Sequence, residues 1–228
     1  MRLVIFDVDG TLTDTMAVDA RCFLRAFVEV YGFSQIDSDW SRYENATDAG
    51  IFHEVFASRM GREPSLNETM RFREHLVELF RSAARQAPFS AVAGAPQLLA
   101  RLGHSEHYQV ALATGCWRDS ARVKMASAGM DYDAYPSASA DDAPQRTAIF
   151  QLAAERAAIR YGCFDDSVYV GDGVWDGWAC RALGIPFIGI GAGGRAEKLR
   201  QAGAVNVFAD LTDSDGILQV VQSIEANF

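Results

Sequence analysis

The chain has 228 residues, 49% of them hydrophobic and 22% charged, a profile that suits a globular protein with one sizeable core, or one core and a smaller inserted domain. A net charge of −9 argues against nucleic acid as a partner, because phosphates would meet a surface of their own sign. Four cysteines without a C-x-x-C spacing suggest neither zinc nor a disulfide framework, and fit reduced thiols in a cytoplasmic protein. No apolar run reaches the roughly 18 residues of a membrane span, and the one before Asp7 is too short for a signal peptide.

The first predicted element, residues 3–7, is a short apolar run that reads as a buried parallel strand. Asp7, Asp9, Gly10 and Thr11 follow at once. Two carboxylates at the end of a buried strand repel each other and are costly to desolvate unless a cation lies between them. They point to a divalent-metal site with one carboxylate placed as a nucleophile.

Residues 16–87 hold no convincing strand and read as helices at 16–31, 47–59 and 65–86. The third opens on Ser65 and Glu68, the spacing of a capping box, and carries Leu66, Met70, Leu76, Leu79 and Phe80 along one stripe. Strand-like runs follow at 109–114, 167–171, 187–190 and 205–209, with a weak one near Tyr135. Helical segments at 96–102, 118–128, 146–160 and 195–202 separate them. This alternation predicts an α/β fold, a doubly wound parallel Rossmann-like sheet. Residues 1–15 and 88–228 would form its core domain, and 16–87 an inserted all-helical domain. Ligands sit beyond the carboxyl ends of strands in such sheets, so Asp7, Thr114 and Asp172 are expected to converge.

Two other patterns are discounted. Residues 189–194 satisfy G-x-G-x-x-G, but they follow a late strand and leave too little chain for a dinucleotide fold. His104 and His107 lie in a polar turn that offers no third metal ligand.

The run Asp7-Val8-Asp9-Gly10-Thr11 resembles the signature of the haloacid dehalogenase superfamily. The resemblance continues in order through Thr114-Gly115 after a strand and through Gly171-Asp172 and Asp176 further on. It implies a HAD-like core with an all-helical cap at 16–87, hinged near 14–18 and 87–93. Asp7 would attack phosphorus and form a phosphoaspartate, and Asp9 would act as general acid and base. Thr114 and the Gly115 N–H would hold the phosphoryl oxygens. Asp7, the Asp9 carbonyl, Asp172 and Asp176 would form a magnesium site. The lysine that the family pattern places at a helix start upstream of the acidic motif is missing. Arg146 stands there and is expected to replace it. Lys124, the rival, lies inside the helix after Thr114 and is expected to be a solvated surface charge.

Within the superfamily, carbon-attacking dehalogenases need neither Asp9 nor the acidic motif, and phosphonatases need a cap lysine that this chain lacks. The expected activity is therefore a Mg²⁺-dependent phosphatase acting on a small phosphorylated metabolite. The alternatives are a phosphosugar mutase, whose first hinge normally carries a histidine absent from residues 15–19, or a catalytically silent binding protein. Trp40, Tyr43, Asn45, Thr47, Asp48 and His53 are the cap residues expected to face the site.

Overall fold

The computed structural model describes residues 1–224. Its centre is a six-stranded parallel sheet in the order β3-β2-β1-β4-β5-β6. The strands are β1 (Arg2–Phe6), β2 (Tyr108–Ala113), β3 (Ser137–Ala138), β4 (Asp166–Gly171), β5 (Phe187–Ile190) and β6 (Asn206–Phe208). The weak strand expected near Tyr135 is displaced. Residues 132–134 form a 3-10 turn, and pairing with β2 begins only at Ser137.

Period-two alternation sends successive β1 side chains to opposite faces of the sheet. Val4 and Phe6 join one buried layer with α4 (Ala95–Gly103), α5 (Arg118–Ser127) and α9 (Ser214–Ser223). Leu3 and Ile5 join the other with α6 (Arg146–Tyr161), α7 (Val174–Leu183) and α8 (Gly194–Gln201). Burial on both faces explains why these strands read as unbroken apolar runs.

Register places the site. Phe6 pairs with Leu112 on one side and Val170 on the other, so β1, β2 and β4 end level. The Asp7 N–H extends the ladder to the Val170 carbonyl at 3.0 Å, and the Thr114 N–H reaches the Ala138 carbonyl at 3.1 Å. The chain steps outward from β1 to β2 and β3, then crosses to β4 on the other side. Order reverses at β1, where a crevice opens beyond the strand ends.

Three helices leave the sheet after β1: α1 (Met16–Tyr31), α2 (Asp48–Met60) and α3 (Leu66–Gln86), with a 3-10 turn at Trp40–Arg42. Ser65 and Glu68 form the expected capping box. Phe23, Phe27, Phe52, Phe56, Phe72 and Phe80 build an aromatic core among these helices. Each such ring contributes about 1.5–3 kcal/mol when fully buried. Trp117, from the loop after β2, is 2% exposed and inserts into this core beside Phe23, Phe52 and Phe72. The two crossings run side by side: the Val92 N–H donates to the Leu12 carbonyl and the Asp14 N–H to the Ser90 carbonyl, each at 2.9 Å.

Candidate active site

Asp7, Asp172 and Asp176 are brought together beyond the ends of β1 and β4. They are buried, and one carboxylate oxygen from each lies within 4.8 Å of the others. Asp176 opens α7, where its Oδ2 accepts the Gly173 N–H at 3.0 Å, a capping contact favoured by the helix dipole. Asp7 Oδ1 is buried without a hydrogen-bond partner among the described residues. Gly10 has φ +74°, and a Cβ built on it would stand 2.2 Å from Asp172 Oδ2, so only glycine lets this turn lie against the carboxylate.

Burial dominates the electrostatics. It pushes the Asp7 carboxyl up to about 7; the Arg146 guanidinium opposes this, while Asp176 and Asp9 reinforce it. Burial likewise raises Asp172 well above the usual carboxylate range, with Asp7 and Asp176 adding to the effect. Burial raises Asp176 as well, against the opposing pull of Arg146. Desolvation of the ionised form is thus the main cause in all three, and the Arg146 charge offsets it only in part.

Arg146 begins α6 and enters the cluster. Its Nη1 lies 2.6 Å from Asp176 Oδ1 and 3.8 Å from Asp7 Oδ2. Its Nε donates to the Ala46 carbonyl at 3.1 Å, and the guanidinium lies 5.6 Å from the Trp175 ring centroid. A Cβ on Gly115 would come within 2.5 Å of Arg146 Nη2, so glycine there gives the guanidinium its room. The Thr114 hydroxyl accepts the Cys116 N–H at 3.2 Å, which shapes the turn after β2.

Asp9 turns away from the acid cluster. Thr15, at the N-cap of α1, gives its hydroxyl to Asp9 Oδ1 rather than capping its own helix. Asp9 Oδ2 accepts from Lys124 Nζ at 2.8 Å. The expectation that Lys124 is a solvated surface charge is therefore wrong. It is fully buried, pairs with Asp9 and Asp19, and lies 4.5 Å from the centroid of the Phe80 ring. Burial alone would lower its pKa, but Asp19 and Asp9 raise it well above the ordinary value.

A loop of the helical insert closes over the crevice. The Asp48 N–H donates to the Gly115 carbonyl at 2.7 Å, the Trp117 N–H to Asp48 Oδ2 at 2.9 Å, and the Thr47 hydroxyl to the Pro144 carbonyl at 2.8 Å. Asp7, Asp9, Thr114, Gly115, Arg146 and Asp172 line the resulting cleft. So do Trp40, Thr47 and Asp48, whereas Tyr43, Asn45 and His53 do not. His53 instead pairs with Glu63 at 3.1 Å.

Sequence reasoning passed over Asp19, Thr15 and Arg195. Arg195 Nη1 lies 3.0 Å from Asp172 Oδ2, directly after the discounted glycine-rich turn. Its position one residue into α8 was the available signal. Asp19, four residues after Thr15, carried only the helical spacing that puts both side chains on one face.

Among solved structures, a hydrolase from Pseudomonas syringae is similar to this chain, with 22% identity, coverage of 97% of this chain and 99% of that one, and a TM-score of 0.76. CbbY from Rhodobacter sphaeroides, in complex with phosphate, shares 16% identity over 92% of this chain and 95% of its own, with a TM-score of 0.69. A predicted phosphoglycolate phosphatase from Haemophilus somnus shares 17% identity over 96% and 97%, with a TM-score of 0.66. These likenesses show the fold. No match is found among curated proteins. The family model described as haloacid dehalogenase-like hydrolase matches residues 4–190, which include all three motifs. The chain belongs to the haloacid dehalogenase-like hydrolase family.

Proposed function

We propose that the protein is a Mg²⁺-dependent phosphatase that hydrolyses a small phosphorylated metabolite through an aspartyl phosphate on Asp7. The observation that carries this reading is the unpartnered, buried Oδ1 of Asp7, in a carboxylate cluster beside one guanidinium. Three buried carboxylates with converging oxygens suit a hard divalent cation, and the two arginines beside them leave charge uncompensated. Asp7, Asp172 and Asp176 would hold the ion, with the Asp9 carbonyl. When bound, it would lower the cost of gathering these carboxylates and offset charge on the phosphoryl oxygens.

Asp7 attacks phosphorus, so that a carboxylate oxygen bonds to it while the bond to the leaving oxygen breaks. For this role Asp9 would exchange its Thr15 or Lys124 contact for the leaving oxygen; protonated, it gives its proton to that oxygen, then takes one from the water that cleaves the acyl phosphate. Inorganic phosphate leaves and the Asp7 carboxylate is restored. The Thr114 hydroxyl, the Gly115 N–H and Arg146 hold the phosphoryl oxygens as charge spreads over them. Residues 15–19 contain no histidine, which favours hydrolysis over the mutase reading. The insert 16–87 is read as the cap over this site. The free cysteines suit a cytoplasmic setting.

The test is turnover of an aryl phosphate with Mg²⁺ and with excess chelator, together with acid-quench trapping of labelled phosphoenzyme. Turnover should stop in chelator, and Asp7→Asn should yield no phosphoenzyme. Full activity of Asp7→Asn would show that another group attacks.

A further inference from the structure

The wall of the cleft contributed by the helical insert is acidic. Asp19 from α1 and Asp48 from α2 both line it, as do Phe23, Trp40 and Ile51. Asp48 is 7% exposed. Its Oδ2 accepts the Trp117 N–H, while its Oδ1 has no hydrogen bond to any described residue. Asp19 gives one oxygen to Lys124. Among the described residues lining the cleft, Arg146 is the one cation, and it is engaged with Asp176 and Asp7 at the phosphoryl end. Arg195, beside the cleft, is engaged with Asp172.

A substrate with a second phosphate or a carboxylate would bring that anion against Asp19 and Asp48, where the nearest ammonium, Lys124, is buried and already shared between Asp19 and Asp9. A hydroxyl or ammonium would instead donate to Asp48 Oδ1 and ease the repulsion between the two aspartates. Burial, and then the Asp19 charge, raise the Asp48 carboxyl well above its usual range against the pull of Lys124, so a bound hydroxyl or ammonium donor favours its ionised form and a second anion opposes it.

Resting on the phosphatase reading, we propose that the substrate is a small phosphate monoester whose leaving group carries hydrogen-bond donors, hydroxyl or ammonium, and no second anionic group. Asp48 is the residue that reads this difference, with Asp19 as its neighbour. The phosphoglycolate type named for one structural relative is thereby disfavoured for this chain.

The test is calorimetric binding to the Asp7→Asn variant, at fixed Mg²⁺, of 2-aminoethyl phosphate, glycerol 1-phosphate and phosphoglycolate. The first two should bind about a hundredfold more tightly than the third, the scale of an unrelieved like-charge contact. Adding Asp48→Asn, which keeps the acceptor for Trp117 but loses the charge, should narrow the ratio to about tenfold. Equal affinities, the reverse order, or no binding of any of the three would overturn the proposal. Wild-type turnover of the same esters and of an aryl phosphate separates the two readings. The expected binding order with no hydrolysis of any ester would uphold the leaving-group preference and overturn the phosphatase assignment.

Discussion

Lys124 Nζ lies 2.8 Å from Asp9 Oδ2, although the two residues are 115 positions apart and the lysine has no solvent exposure. Its other partner, Asp19, comes from the first helix of the insert, and the Phe80 ring that it faces comes from the third. One ammonium thus ties a loop of the sheet domain to two helices packed over it.

Removing one partner of a buried charge network leaves the others uncompensated, at a cost of about 3–5 kcal/mol. Lys124→Met is expected to lower unfolding free energy by about that amount in urea titration. Introducing Asp19→Asn in the same chain should recover part of the loss, because it removes one stranded charge. A Lys124→Met protein as stable as the wild type would show that the network contributes nothing net.

Arg146 is expected to act on rate. Its guanidinium reaches Asp7 and Asp176 together, a geometry that a planar fork supports and an ammonium does not. Arg146→Ala should lower turnover by about two to three orders of magnitude, the scale of losing one preorganised electrostatic contact. Arg146→Lys should recover part of it. Steady-state rates at saturating Mg²⁺, with folding checked by circular dichroism, decide the matter. Near-normal turnover of Arg146→Ala would leave charge stabilisation to metal and backbone.

The contribution of Asp7 to the stability of the metal-free protein should fall as pH rises. Asp7 has its pKa raised by burial, against Arg146, from 3.8 to about 7. Between these values the folded chain holds more protons at this carboxyl than the unfolded chain does. Its contribution is therefore full below about pH 4 and is lost as pH climbs through about 7. A cation must displace that proton to bind, so the rise in Tm produced by Mg²⁺ should be larger at pH 8 than at pH 5. Thermal melts in chelator and in Mg²⁺ across this range test it, and an identical Mg²⁺ effect at both ends would contradict it.

Trp117→Ala should destabilise the protein by about 3–5 kcal/mol, because it empties a cavity between Phe23, Phe52 and Phe72 that those rings cannot collapse to fill. The tryptophan belongs to the loop after β2, so the same change should make residues 45–48 more accessible to limited proteolysis. Unchanged stability would mean that the insert does not depend on this anchor.

The sheet and its motif positions were legible in the sequence because they rest on local rules. Apolar runs buried on both faces announce parallel strands, and Asp7, Thr114 and Asp172 each end one; level strand ends then bring them together. The helices of the insert were legible for the same reason, down to the capping pair of Ser65 and Glu68. The short third strand was misplaced, since two residues of pairing with β2 leave no periodic signal.

The state of each charge was decided by tertiary structure. Lys124 sits in a polar helix whose local pattern suits solvent, yet packing of α1 and α3 against α5 seals it from water and supplies Asp19 to pair it. Arg195 follows a glycine turn that says nothing of Asp172, and the Asp172 contact depends on where α8 docks. Asp48 was expected to face the site, but Asp19 is an ordinary helical acid in sequence, and it is the docking of α1 and of residues 45–48 over the strand ends that sets the two along one cleft. Local pattern records which face of an element is apolar. Pairing and burial of a charge depend on what the rest of the chain places opposite it, and Coulomb and desolvation energies follow those distances rather than sequence spacing.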